Sequence, residues 1–217
     1  MQTRLMFWLI AGGALACAAA DSVRPDPTSA TLIDPADPAV ASVRQVGEQL
    51  IDRAGHLMIY EAERAVADHG VARAIGSMHL KTLDLPRAEP GLPRVTALKL
   101  TSLSLRNPAN RPDAADQAAL ETIDGALRTG SEVPAILVQR VDHPGLPPEW
   151  RVYRPITTMP LCVKCHGATE DLKPDVRARL AQQYPEDHAT GYTAYKWRGL
   201  IRVSLTGPEP AIALHSK

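Results

Sequence analysis

Two cysteines and a histidine stand close together in the last third of the chain, in the sequence Cys162-Val163-Lys164-Cys165-His166. Two cysteines three residues apart can reach the two vinyl groups of one porphyrin and form thioethers with them. His166, the next residue, then lies beside the iron as its proximal ligand. The C-x-x-C-H pattern is the attachment signature of c-type haem. The sequence therefore predicts one covalent haem c, bound by Cys162, Cys165 and His166.

Other uses of this cysteine pair fit less well. A redox-active C-x-x-C normally opens a helix after a βαβ-type strand, whereas here Pro160 precedes the pair and Gly167 follows it. A zinc site needs a fourth ligand at short spacing. The third cysteine, Cys17, lies near the N-terminus, so the pair belongs to no disulfide framework.

The motif does not specify the second axial ligand of the iron. The candidate donors are Met58, Met78, Met159, His56, His69, His79, His143, His188 and His215. Met78 continues the apolar helical stripe of Val71 and Ala74, so its thioether is expected to point inward. His79 is rotated about 100° from it on a helix. Because a methionine on such a stripe is ordinarily a core residue, periodicity alone leaves iron ligation and core packing as equal alternatives for Met78.

The N-terminus predicts export. Arg4 precedes a short apolar run over 5–10, and small residues follow through Ala20, as in a secretory signal peptide over 1–20. The run is too short to span a membrane. Cleavage after Ala20 would release a soluble periplasmic protein, whereas lipidation of Cys17 would leave a lipid-anchored one. The soluble form is favoured, because Ala14 stands where a lipoprotein site has a larger aliphatic residue.

The remaining chain reads as one α+β domain. Residues 21–40 are proline-rich and polar, which predicts a flexible tether, and apolar residues recur every three or four positions over 41–68, which predicts a long amphipathic helix. Asp113 and Gly130 delimit a helix over 114–127, Pro174 begins another that runs to 183, and alternating patterns predict strands over 95–105, 134–141, 150–156 and 200–205. Helices followed by strands favour an antiparallel sheet. The expected domain covers 41–206, with a C-terminal tail over 207–217.

Charge gives no sign of nucleic-acid binding. The 217 residues contain 24 Lys and Arg and 24 Asp and Glu, and a net charge of zero provides no general attraction to phosphate backbones or anionic membranes.

Several motifs resemble those of one known family. They are LRNPAN at 105–110, PD at 112–113, YRPI at 153–156, CVKCHG at 162–167, YPEDHATGY at 184–192 and RGLI at 198–201. In this order they look like the PAS-like c-type haem domains, which occur as stand-alone exported proteins and as sensor modules of bacterial signalling proteins. The resemblance implies a PAS-like antiparallel sheet flanked by helices, behind a long N-terminal helix.

The resemblance also bears on the haem site. The family commonly has a cysteine as distal haem ligand where this chain has Met78, so it implies that Met78 ligates the iron, and a thioether can replace a thiolate in that role. The motif at 106–113 is interpreted as a turn rather than a propionate site. Lys164, Arg154 and Arg198 are further candidates to bind haem propionates.

Three functions are compatible with these observations. A single-haem electron carrier needs two axial ligands and no substrate pocket. A haem-based redox or gas sensor needs a distal ligand that can leave and a separate partner protein that reads its state. An enzyme is disfavoured, because the sequence reveals no distal catalytic pair. We therefore expect an exported redox protein that exchanges electrons with a separate redox or signalling partner, with the sensor as the alternative.

Overall fold

A computed structural model describes residues 26–76 and 83–207 of the chain. The strands are β1 (Ser29–Ile33), β2 (Arg94–Thr101), β3 (Leu137–Asp142), β4 (Glu149–Thr157) and β5 (Trp197–Thr206). The helices are α1 (Ala41–His69), α2 (Val71–Ala74), α3 (Ala114–Thr129), α4 (Pro160–His166) and α5 (Pro174–Gln183). Short 3₁₀ turns occupy Pro38–Val40 and Pro108–Asn110. None of the helices in this part of the chain is long and apolar enough to cross a membrane.

The five strands form one sheet in the order β1-β3-β4-β5-β2, and every neighbouring pair is antiparallel. Strand β4 lies at the centre and pairs with β5 along its whole length. This α+β architecture, with a long N-terminal helix against an antiparallel sheet, confirms the predicted fold class and is consistent with a PAS-like domain.

Helix α1 packs its first half on one face of the sheet. Its buried residues Val43, Leu50 and Ile51 form a core with apolar side chains from the sheet. Those side chains are Val95, Val138, Trp150, Val152, Ile201, Val203 and Leu205. The helix approaches β4 closely at Gly47, where a Cβ would lie 2.6 Å from the side chain of Val152. The second half of α1 is less buried and extends past this core.

Helix α3 covers the opposite face. Asp113 caps it in a capping box with Asp116, and Gly130 ends it in the left-handed conformation, as the sequence predicted. Beneath α3, apolar contacts with Tyr153 and Leu200 lie beside a layer of charged side chains, four of which are buried. That layer comprises Lys99, Asp113, Asp116, Glu149, Arg151 and Arg202.

Two expectations about local structure are corrected. Part of the predicted flexible tether, Ser29–Ile33, is strand β1, which pairs with β3 at one edge of the sheet. The pairing satisfies backbone groups that a tether would leave to solvent. The helix predicted to run from Val71 to Met78 ends at Ala74, because Ile75 is extended and Gly76 has a φ of 86°. Helical periodicity therefore does not carry through to Met78, which lies outside the described residues.

Candidate haem site

The C-x-x-C-H motif lies on helix α4, which directly follows strand β4. Pro160 occupies the first turn, where its missing N–H costs nothing. Cys162 and Cys165 are one turn apart, so both thiols project from one face of the helix. Both are free and half-buried. The motif is thus helical, unlike the expectation drawn from its flanking Pro160 and Gly167, but the sheet beside it is antiparallel rather than of βαβ type.

The three residues of the motif line a cavity of about 440 Å³. This volume lies within the range of small-molecule and cofactor sites, about 300–1,000 Å³. Its walls are the second half of α1, helix α2, the segment after β2, the end of β4 and α4. The apolar lining residues include Ile59, Ala62, Val66, Ile75, Leu100, Leu105, Ile156 and Leu161.

The imidazole of His166 is oriented by a backbone carbonyl. Its Nδ1 lies 2.7 Å from the main-chain oxygen of Ala189, and since a carbonyl only accepts, Nδ1 carries the proton and donates it. The N–H of Tyr192 also donates to the main-chain oxygen of His166, and the N–H of Gly191 to that of Gly167, both at 2.8 Å. The segment 187–192 therefore holds the end of α4 and fixes one tautomer of His166, in which Nε2 has the lone pair.

Burial also affects the protonation states of His166 and Cys165. Burial lowers the pKa of His166, and the charges of Arg106 and Arg198 lower it further, to about 3. The imidazole is therefore neutral at physiological pH and able to donate its Nε2 lone pair to a metal. Burial also raises the pKa of the Cys165 thiol, which keeps that group protonated near neutral pH.

Arg106 connects the two segments that meet at His166. Its guanidinium donates to the main-chain oxygens of Cys165 at 2.7 Å and Ala189 at 3.3 Å and pairs with Asp187 at 2.9 Å. One of its nitrogens lies 3.5 Å from Nε2 of His166. The motif at 106–113 thus divides: Arg106 belongs to the site, whereas Asn107 and Asp113 cap the 3₁₀ turn and α3, as the turn interpretation predicted.

A second arginine, Arg198, lines the same cavity. It donates to the hydroxyl of Ser102 at 2.5 Å, and its guanidinium lies 5.3 Å from the centre of the Tyr192 ring. That ring meets the imidazole of His166 edge-on, with centroids 6.3 Å apart. Burial lowers the pKa of Arg198, although an arginine remains charged at physiological pH.

The other candidate propionate ligands lie elsewhere. Arg154 pairs with Asp52, and neither it nor the exposed Lys164 lines the cavity. Arg198 alone of the three does so.

The structure separates the candidate distal ligands into three groups. Met58 and Met159 line the cavity. His56, His69 and His188 do not line it, and His143 is buried on the far face of the sheet, bonded to Glu149 at 2.7 Å. Met78, His79 and His215 lie outside the described residues, although Ile75 and Gly76, just before Met78, form part of the cavity wall.

Sequence reasoning gave no role to the segment around Asp187 and Ala189. The sequence of this segment contributed to the family resemblance. The group that contacts His166 is a main-chain oxygen, however, and every residue type has one. Asp187 gave a weak signal in the sequence, because an aspartate often forms a local turn with the residue two positions later. Here its Oδ1 accepts the N–H of Ala189 at 2.8 Å.

Comparisons with known proteins identify the family of this chain. The family model of Tll0287-like proteins matches residues 80–206. Among solved structures, the crystal structure of the cyanobacterial haem protein Tll0287 shares 23% sequence identity with this chain, with a TM-score of 0.38. The match covers 52% of this chain and 63% of that one, so it spans less than two thirds of the known protein. No match to a curated protein was found.

The family model covers more than half of the 217 residues, including strands β2 to β5, the C-x-x-C-H helix and the segment that holds His166. The predicted resemblance to a haem-binding PAS-like family is confirmed, and the chain belongs to the Tll0287-like family.

Proposed function

We propose that this chain binds one haem covalently, through thioethers to Cys162 and Cys165, with His166 as the proximal iron ligand. The observation that carries the proposal is the hydrogen bond from Nδ1 of His166 to the Ala189 oxygen at 2.7 Å. It leaves Nε2 as the ligating atom of a neutral imidazole in the wall of the cavity. Such a partner on the other ring nitrogen is typical of metal-ligating histidines.

The residues present fit a haem of this kind. The two thiols are free, lie one helical turn apart and share a wall with His166. The remaining walls are largely apolar, as a macrocycle requires, and two arginines meet the cavity at its polar side. When bound, haem supplies an iron centre that exchanges one electron.

The function that fits best is electron transfer outside the cytoplasm. The leader over 1–20 supports export to the periplasm, either as a soluble protein or through a lipid at Cys17, and the redox partner is then a separate protein. Met78 is proposed as the distal ligand, on the family pattern alone. The protein is proposed to carry electrons rather than to act as an enzyme.

Covalent attachment is tested by replacing both thiols. In cells that mature c-type cytochromes, the variant Cys162→Ala/Cys165→Ala is expected to lose all haem that resists extraction with acidified acetone. Cys17→Ala is the matched control, because it removes a thiol outside the motif, and it is expected to retain haem at the wild-type level. Resistant haem at the wild-type level in the double variant would contradict the proposal.

A further inference from the structure

Tyr195 lies at the surface in an unfavourable backbone conformation. Its φ is 65°, and among the described residues it alone has a positive φ without being a glycine. A bulky side chain in this region costs free energy. Packing offsets little of that cost, because Tyr195 is 73% exposed. Strained residues of this kind cluster at functional sites, so the exposed ring is a candidate for binding a partner.

Hydrogen bonds to Thr158 hold this turn beside the C-x-x-C-H helix. The N–H of Tyr195 donates to the main-chain oxygen of Thr158 at 2.6 Å, and the N–H of Thr158 donates to that of Lys196 at 2.8 Å. The Thr158 hydroxyl also accepts from the N–H of Lys196 at 3.1 Å. Tyr195 and Lys196 therefore both lie opposite Thr158, as in a β-bulge. Thr158 directly precedes Met159, the N-cap of α4, so the strained turn is attached to the start of that helix.

The cavity reaches the surface at the same place. Met159 and Pro160 line the cavity and are both exposed, Met159 by 40%. The thioethers proposed on Cys162 and Cys165 hold the haem against α4. The exposed first turn of this helix therefore gives a partner protein a short approach to the cofactor.

The segments that border this opening on the α4 side are cationic. Residues 157–166 and 188–206 contain no aspartate or glutamate, and Lys164 and Lys196 are exposed within them. Exposed charges of one sign attract a partner of the opposite sign and raise its rate of association. This side of the opening therefore favours an anionic partner.

The carboxylates near these segments do not cancel that charge. Asp187 is paired with Arg106 at 2.9 Å, and its side chain is only 10% exposed. Glu63, an exposed carboxylate that lines the cavity, belongs to helix α1 rather than to α4 or its neighbouring segment.

From this arrangement we infer that Met159, Tyr195 and Lys196 form the docking surface for an acidic electron-transfer protein. The inference rests on the proposed function, since it takes haem as the redox centre behind the surface. Methionine and tyrosine are enriched at the centres of protein interfaces, and a small surface suits a transient electron-transfer encounter. Lys196 supplies charge that steers an anionic partner towards it.

The test follows reduction of the ferric, haem-loaded protein by flavodoxin hydroquinone. This acidic protein passes one electron to the haem and becomes the semiquinone. The second-order rate constant should fall as salt is added, because salt screens the attraction. Lys196→Glu should lower the rate about tenfold at low salt, the lower end of the range for electrostatic steering, about 10–10³. The small cationic reductant hexaammineruthenium(II) should instead react faster with this variant. Lys173→Glu is the matched control, because it reverses an exposed lysine before α5, and it should change neither rate.

Tyr195→Gly separates docking from folding. Glycine adopts a positive φ without strain, so the variant should keep or gain thermal stability while its reduction by flavodoxin slows. Its reduction by hexaammineruthenium(II) should equal that of the wild type, because a small ion does not need the apolar contact. Tyr60→Ala removes another exposed tyrosine, on α1, and should leave both rates unchanged.

The outcomes separate the possible failures. If the wild-type protein carries no covalent haem, the proposed function fails and the docking surface fails with it. If haem is covalent but Lys196→Glu and Tyr195→Gly match their controls, only the docking surface is overturned. A flavodoxin rate that rises with salt would overturn the acidic partner. A larger effect of Glu63→Gln than of Lys196→Gln would place the approach at helix α1, which also overturns the inference.

Discussion

Arg202 donates from one guanidinium nitrogen to both carboxylate oxygens of Asp116, at 3.0 Å each, beneath helix α3. Asp116 is fully buried and also accepts from Arg151 at 3.1 Å, Lys99 at 3.0 Å and the Tyr153 hydroxyl at 3.1 Å. One carboxylate thus joins strands β2, β4 and β5 to α3.

Replacing Arg202 should destabilise the fold far more than replacing an arginine of an exposed ion pair. Arg202→Met removes one of the positive charges that compensate the buried carboxylate of Asp116. Breaking a buried ion pair typically costs about 3–5 kcal/mol. We expect a loss at the lower end of that range, measured as the free energy of unfolding in urea. The control Arg128→Met removes an exposed pair with Asp124 and should cost less than about 1 kcal/mol. Equal effects of the two variants would show that the charge layer does not stabilise the fold.

The same layer predicts a loss of stability in acid. Burial alone would raise the pKa of Glu149, but Arg151 lowers it from 4.5 to about 2. Since the unfolded chain takes up this proton first, the stabilisation is complete above about pH 4.5 and disappears as the pH falls towards 2, by an amount of the order of 3 kcal/mol. Asp113, whose pKa Arg151 also lowers to about 2 against the effect of burial, adds to it.

This dependence is measured by urea unfolding across the acid range. Arg151→Met should flatten the curve between pH 4.5 and 2, the interval set by Glu149. Arg140→Met, which removes an arginine paired with Asp142 on strand β3, should keep the wild-type dependence. A wild-type curve in Arg151→Met would refute the assignment.

Asp187 should control the orientation of His166 through the backbone. Asp187→Ala removes both the partner of Arg106 and the acceptor for the Ala189 N–H, so the bond from His166 to the Ala189 oxygen should weaken. A weaker bond makes the imidazole less basic and disfavours ferric iron, so the reduction potential should rise and the ferric electron paramagnetic resonance lines should broaden. Glu186→Gln removes an adjacent exposed charge and controls for simple electrostatics. The same rise in potential without broadening in both variants would argue against positioning.

The distal ligand is tested by paired variants. If Met78 ligates the iron, Met78→Ala should abolish the weak methionine-to-iron charge-transfer band of the oxidised protein and allow the reduced protein to bind carbon monoxide. His79→Ala and Met58→Ala should leave both properties unchanged. Loss of the band in Met58→Ala instead would assign the ligand to α1, and an effect confined to His79→Ala would assign it to that histidine. Carbon monoxide binding by the unaltered protein would favour the sensor over the electron carrier.

Elements with local signals were predictable from the sequence, and those made by distant pairing were not. Asp113 and Gly130 mark the ends of α3, and Pro174 the start of α5, because caps and breakers act within one turn. Strand β1 was not predicted, because its partner strand β3 lies more than a hundred residues further along the chain. The sequence around Arg151 and Arg202 does not indicate that their side chains face helix α3 rather than water.

The site followed the same division. The spacing of Cys162, Cys165 and His166 is a local signal, and the cavity unites the three. Met78 was expected to point inward because α2 was expected to reach it, but Ile75 is extended and Gly76 has a positive φ, so the helix ends before Met78. Arg106 was grouped with a turn because its neighbours form one, although its side chain reaches a segment about 80 residues further on.

The acceptor for His166 is present whatever amino acid occupies position 189. A scan of single substitutions there should therefore report only the steric limit of a fully buried site, and it would underestimate how much the orientation of the His166 imidazole depends on that carbonyl. Insertion or deletion of one residue between Tyr184 and Tyr192 would instead move the carbonyl out of reach. The orientation of the His166 imidazole is therefore set by the length of this loop more than by the side chains within it.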